Sequence, residues 1–176
     1  MKKMKRLIAV LLSGMMVMLM LTACFGGSGT VSIGKQFEEK YLDLVNSMRT
    51  AENGKLTNDS ELYNRALKVL DKIDKNGKVS AEDAMRVSVE ASLVGDKVIV
   101  TAIGIATEEE FDENNGLTEY TAKVLTPESL AKMLQEDCSE ENVAMMNTIT
   151  KIGIASVERG GKTYGAVAMQ MTVEAE

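Results

Sequence analysis

The side chains of this sequence that could do chemistry fall into a few short constellations. Asp74-Lys75-Asn76-Gly77-Lys78-Val79-Ser80-Ala81-Glu82-Asp83 carries oxygen-bearing side chains at alternate positions, a glycine at the bend and a closing acid, the outline of a calcium-binding loop. Its first ligand position holds Lys72, a cation, and Asp71 is one residue out of register. A helix C-cap at Asn76-Gly77 followed by a capping box at Ser80 accounts for the same residues. Gly160-Gly161-Lys162-Thr163 invites a phosphate-loop reading, but Ser156 stands where the motif needs glycine and a strand is expected where it needs a helix. Ser129 and Lys132 have the spacing of a Ser/Lys nucleophile pair without the companion motifs, and a helix cap explains them. Cys138 lies among Glu136, Asp137, Glu140 and Glu141, which disfavour a thiolate. The cluster Glu108, Glu109, Glu110, Asp112 and Glu113 reads as a solvated loop, and Met145-Met146 and Met169/Met171 read as core at helical and strand spacing.

The one complete constellation is Leu21-Thr22-Ala23-Cys24. It closes an apolar run from Leu7 that follows Lys2, Lys3, Lys5 and Arg6, the order of an export signal. The run is shorter than the roughly 20 residues a spanning helix needs. The four residues resemble the lipobox of bacterial lipoproteins, which implies removal of Met1 to Ala23, a diacylglycerol thioether on Cys24, and residence on the extracytoplasmic face of the bacterial cell membrane. One acyl chain holds marginally and two hold stably. With Cys24 so used, Cys138 has no intramolecular partner. Removing Met1 to Ala23 takes away four of the 20 cations and none of the 26 acids, which moves the net charge from −6 to −10. A charge of that sign argues against a nucleic-acid partner, whose binding rests on clustered Lys and Arg.

Residues 24 to 34 are rich in Gly and Ser and read as a tether. Ten such residues span roughly 16–19 Å. Residues 35 to 176 then form one domain of ordinary size. Phe37, Tyr41, Leu44, Val45 and Met48 make one stripe of an amphipathic helix ending near Asn53-Gly54. After the N-cap candidates Thr57 to Ser60, a second stripe of Leu62, Ala66, Val69, Leu70 and Ile73 runs to Asn76-Gly77. Met85 to Leu93 alternates apolar and polar residues and predicts a strand, although a helix from the Ser80 capping box would cross the same stretch. Gly95-Asp96 turns it into Lys97 to Ala106, a hairpin. Thr126-Pro127-Glu128 starts a helix through Leu130, Met133 and Leu134, and a shorter one runs from Ser139 to Met146. Ile149 to Val157 and Thr163 to Val173 form a second hairpin across Arg159 to Lys162. Ile103-Gly104-Ile105 and Ile152-Gly153-Ile154 look like two central strands of similar composition. The expected class is α+β, a small antiparallel sheet flanked by helices.

Leu42-Asp43-Leu44-Val45-Asn46, Arg49, Leu56-Thr57, Leu62 and Ala66 resemble the opening helices of the CAP superfamily, the SCP-like or antigen 5/pathogenesis-related domains. Thr126 to Leu130, Cys138 to Glu141, Val143 to Asn147 and Thr150 to Ala155, followed by the glycine hairpin, are similar to that family's last helix and closing strands. The resemblance implies an α-β-α sandwich. Many members line a cleft with two histidines and two acidic residues that hold a divalent metal. This chain has no histidine; Glu141 falls where the second would stand, and Ala84 to Thr107 does not resemble the section carrying the first.

These readings converge on a lipid-anchored protein outside the cytoplasm. Its degenerate CAP-like domain binds an unknown protein or small molecule without catalysis, metal or cofactor beyond the lipid on Cys24. Two alternatives stand beside it, a cleft hydrolase pairing Glu141 with another carboxylate, and a structural subunit of an envelope complex.

Overall fold

The stripe of Phe37, Tyr41, Val45 and Met48 is the buried face of helix α1, Ile33–Met48, and all four side chains are within 6% of full burial. The computed structural model describes residues 32–92, 95–108, 116, 118–133 and 140–174, and the side chains of 133, 140–142 and 174 are excepted. Leu21 to Cys24, Cys138 and the acidic run from 109 to 115 lie outside these residues.

Helix α1 begins two residues inside the stretch read as tether. Ser32 caps it by accepting from the Lys35 amide, and Gly34 is buried against Ser156. It also stops earlier than its spacing predicts, at Met48, and a single 3-10 turn, Ala51–Asn53, finishes the segment. Helix α2, Ser60–Leu70, is capped by Asp59, whose carboxylate accepts from the Glu61 and Leu62 amides. It ends well before Asn76-Gly77, so these residues are not its C-cap; Ile73 is buried from the turn that follows.

From Lys78 the chain forms a short strand β1 (Lys78–Ser80), a single helical turn α3 (Ala81–Ala84), and strands β2 (Met85–Ala91) and β3 (Lys97–Ile105). Ser80 Oγ accepts from the Asp83 amide, as the capping box predicts, but β-branched Val87 and Val89 alternate with polar residues and the helix gives way after four residues. Strand β4 (Glu119–Thr121), helices α4 (Pro127–Met133) and α5 (Glu140–Thr148), and strands β5 (Ile149–Arg159) and β6 (Lys162–Glu174) complete the order. The small sheet of β1 and β4 has no sequence signal, since each strand is three residues long.

The main sheet has the order β2-β3-β6-β5 and every pairing is antiparallel. The two hairpins therefore join through β3 and β6. Strand β3 is interior, but β5 is an edge strand and not a central one. Asn58 closes that edge by exchanging hydrogen bonds with the amide and carbonyl of Ile154 at 2.8 and 2.9 Å.

Alternation along the strands sends two apolar sets to opposite faces. Val100, Ala102, Val167, Met169 and Ile154 pack with α1, Leu130 of α4 and Met146 of α5. Ile103, Ile105, Ala155, Ala166 and Ala168 pack with α2, α3 and the small sheet. The result is α+β, a sheet with helices on both faces. Full burial of Phe37, Leu62, Leu70, Met146 and Ile152 contributes about 1.5–3 kcal/mol apiece.

Arg49 links the two ends of the chain. Its guanidinium donates to the carbonyls of Asn53, Gly54, Met146 and Ile149 at 2.5–2.8 Å, so it supplies donors to the C-terminal end of α5. Asn46 holds the next segment by a reciprocal pair with Leu56. Among the described residues, Tyr41 Oη and Thr101 Oγ1 are the buried side-chain polar atoms without a hydrogen-bond partner. Burial also raises the Tyr41 phenol far above its ordinary pKa.

Two substitutions check this packing. At Gly153 a β-carbon would run into the backbone of Leu62 and Tyr63, and Gly153→Ala is expected to destabilise by about 3 kcal/mol or more in urea unfolding followed by circular dichroism. Tyr41→Phe removes an unsatisfied buried hydroxyl and is expected to leave stability unchanged or raise it by about 1 kcal/mol in the same assay.

Candidate functional site

Helix α2 carries Arg65 and Lys68 three residues apart, on one side of the helix. Strand β2 sends Arg86 and Ser88 to one side by alternation. The packing of α2 across the sheet sets these two pairs facing each other over a groove of about 680 Å³ beside the edge strand. That volume falls in the range of small-molecule sites. Val69 and Ile103 are its buried apolar floor, half-buried Met85 lines it from the start of β2, and Glu82 of α3 stands at one end; Val87 borders it with its backbone while its side chain packs on the α1 face.

The groove is positively charged within an acidic chain. Arg65 Nη2 donates to Ser88 Oγ at 3.1 Å, which fixes the guanidinium over β2. Ser88 Oγ in turn donates to the Thr101 carbonyl at 3.5 Å. Among the described residues the charged partner of Arg86 is Asp83, at 3.7 Å and partly solvated, a contact of little energetic weight. Arg65 and Lys68 have no carboxylate partner among the described residues. The arrangement suits recognition of an anion. It does not suit nucleophilic attack by Ser88, because the hydroxyl is held by a cation and a backbone carbonyl, neither of which takes up a proton.

Glu141 is elsewhere. Its backbone is in the first turn of α5, and α5 packs on the α1 face of the sheet, opposite the groove; the Glu141 side chain lies outside the described residues. The sequence does not reveal the groove because its three cations come from two segments about twenty residues apart and meet only through the register of α2 on the sheet. The available signal is the i, i+3 pair on the polar side of α2 together with the outward alternation of β2.

The other constellations have structural tasks. Asp74 Oδ1 accepts from the amides of Asn76 and Lys78 at 2.8 and 2.7 Å, closing a tight loop in which Gly77 has φ 83°. Among the described residues no group of three or more His, Cys, Asp and Glu side chains is gathered that could hold a metal ion. Ser129 and Thr126 cap α4 reciprocally, each side chain accepting from the other's amide. Gly160 and Gly161, at φ 57° and 73°, turn the β5-β6 hairpin. Met146, Met169 and Met171 are core.

Glu38 of α1, a carboxylate that the helix periodicity sets apart from the apolar stripe, is buried. It accepts from Ser156 Oγ at 2.7 Å, from the Ser156 amide at 3.1 Å and from Lys35 Nζ at 2.6 Å. With the ammonium beside it the carboxylate is charge-balanced, and its task is to fix α1 on β5.

The loop amides of Lys78 and Asn76 hold the Asp74 carboxyl below its ordinary pKa. A depressed folded-state pKa contributes stability above the unfolded value, near 3.9, which is lost as pH falls through the folded one. The melting temperature of the natural protein should therefore exceed that of Asp74→Asn by a constant amount above about pH 5. The gap should close as pH drops below about 4, as read by thermal melts from pH 6 to 2.5.

No family model matches this chain, and neither the curated proteins nor the solved structures contain a match.

Proposed function

We propose that this chain is a lipid-anchored extracytoplasmic protein whose CAP-like domain binds a ligand rather than transforming one. The observation that carries the reading is the groove between α2 and β2, whose polar side chains are arranged to attract and orient and not to activate a nucleophile. Several features support the remaining parts. Leu21-Thr22-Ala23-Cys24 follows a basic segment and an apolar run, the order of an export signal. The residues that resemble the CAP superfamily include those on which the architecture rests: Asn46 and Arg49 hold the segment after α1 and the end of α5, and Leu62 and Ala66 are the buried face of α2. The layering, helices on both faces of an antiparallel sheet, is of the kind that the resemblance implies.

The assembly-subunit alternative calls for an apolar docking face. Among the described residues the large apolar side chain left exposed is Val89, at 45%. One such residue is ordinary for a protein surface. The groove is the better-supported feature.

Cys24→Ala tests the anchor. Labelling with radioactive palmitate is expected to be lost, with the protein released from the membrane fraction or retained as a precursor still carrying Met1 to Ala23. Unchanged labelling of the variant would remove the lipid from the proposal.

A further inference from the structure

We infer that the groove between α2 and β2 takes a phosphomonoester carried on an apolar group, an inference that rests on the binding-domain reading above. The lining holds three cations, Arg65, Lys68 and Arg86, against one carboxylate, Glu82. This excess of two positive charges occurs in a chain whose net charge is −6. A phosphomonoester carries about −1.5 to −2 at neutral pH and presents three oxygens, enough to engage Arg65, Lys68 and Arg86 together even with Asp83 at 3.7 Å from Arg86, whereas a carboxylate presents two. Guanidinium forks bind such oxygens bidentately, and Arg65 is already held in place by Ser88, so little side-chain freedom remains to be lost on binding. Below the charged rim the lining turns apolar: Val69 and Ile103, at 3% and 6% exposure, close the bottom, and half-buried Met85 with the aliphatic stems of Arg65, Lys68 and Arg86 offers an alkyl or aryl substituent a surface that a phosphate could not use. Glu82 has no cationic partner among the described residues and repels a second phosphate, which restricts the site to ligands with a single one.

The same chemistry is available from a soluble organic phosphate and from a phosphomonoester lipid headgroup. The test uses the full lipidated chain in detergent micelles with its methionine methyl groups labelled with carbon-13, and follows the Met85 signal while phenyl phosphate, benzoate or benzyl alcohol is added. Phenyl phosphate is expected to give a saturable shift with a Kd at least about tenfold lower than that of benzoate, and benzyl alcohol none. Arg65→Gln should raise the phenyl phosphate Kd at least about tenfold, and so should Lys68→Gln combined with Arg86→Gln, a pair that leaves the Arg65 to Ser88 bond intact. In nanodiscs, a Met85 shift that appears when phosphatidic acid is added to phosphatidylcholine identifies the lipid as the source. Binding of phenyl phosphate without that shift identifies a soluble ligand. Equal affinity for benzyl alcohol and phenyl phosphate, or variants with unchanged Kd, overturns the phosphate while leaving a binding groove. A Met85 signal unmoved by all three probes overturns the groove as well.

Discussion

The structure depends on how closely helix α2 can approach the sheet. Where it crosses β5 and β6 the strands present Gly153, Ala155, Ala166 and Ala168 in place of large side chains. At Gly153 the helix backbone itself, at Leu62 and Tyr63, occupies the space of a β-carbon. Close approach lets Leu62, Ala66, Val69 and Leu70 reach the sheet and be fully buried, and it turns small-residue strands, which have little apolar area to offer, into a dense interface. The opposite face is built differently. There Ile152, Ile154, Val167, Met169 and Met171 stand up from the sheet, and α1 meets them with Phe37, Tyr41 and Val45, so large side chains interdigitate on both sides. The two helices thus sit at different heights above one sheet, and the difference is written in the alternation of small and large residues along β5 and β6.

Polar groups do what apolar packing cannot, which is to fix register. Helix α1 is fixed on the sheet by Glu38, tied to Ser156 at one end, and by Asn46 and Arg49, tied to Leu56, Met146 and Ile149 at the other. These ties are charge-assisted or reciprocal, and at Ser156, Leu56, Met146 and Ile149 they satisfy backbone groups. Asn58 shows the economy of this arrangement: one amide side chain serves an edge strand as a short neighbour would, and Asp59 next to it starts α2. The loop between α1 and α2 is therefore part of the sheet's edge as well as a connection.

Much of this was legible in the residues. The two early helices, both hairpins and the Thr126-Pro127 helix start follow from periodicity and turn chemistry, because each of those elements is long enough for its pattern to repeat. The misreadings have a common cause in short range. Helix α2 was expected to reach Asn76-Gly77 because Ile73 fits its stripe, yet Ile73 is buried from a turn; Asp74 captures the amides of Asn76 and Lys78 and bends the chain into β1. The β1 and β4 pair of three residues each leaves no pattern to detect. Strand β5 reads as central because it is apolar on both faces, and its true position at the edge depends on Asn58, ninety-six residues away from Ile154 in sequence. Of the candidate site, single members were visible and their meeting was not.

The groove is a consequence of the same packing asymmetry. Helix α2 lies over β5 and β6, where the small residues are, and so leaves the far edge of the sheet, β2, beyond its apolar face. What spans the gap is the polar side of the helix. Arg65 and Lys68 extend toward β2, and Ser88 and Arg86 answer from the strand, so the sheet's edge is bridged by long cationic side chains instead of a hydrophobic seal. A gap bridged that way stays wet and charged above while Val69 and Ile103 remain apolar beneath. Had the small-residue patch been centred on β3, the helix would have covered β2 and left no groove. Gly153 thus lets α2 seat over β5 and β6, and a groove with a cationic rim and an apolar bottom is what a helix seated so far to one side leaves at β2.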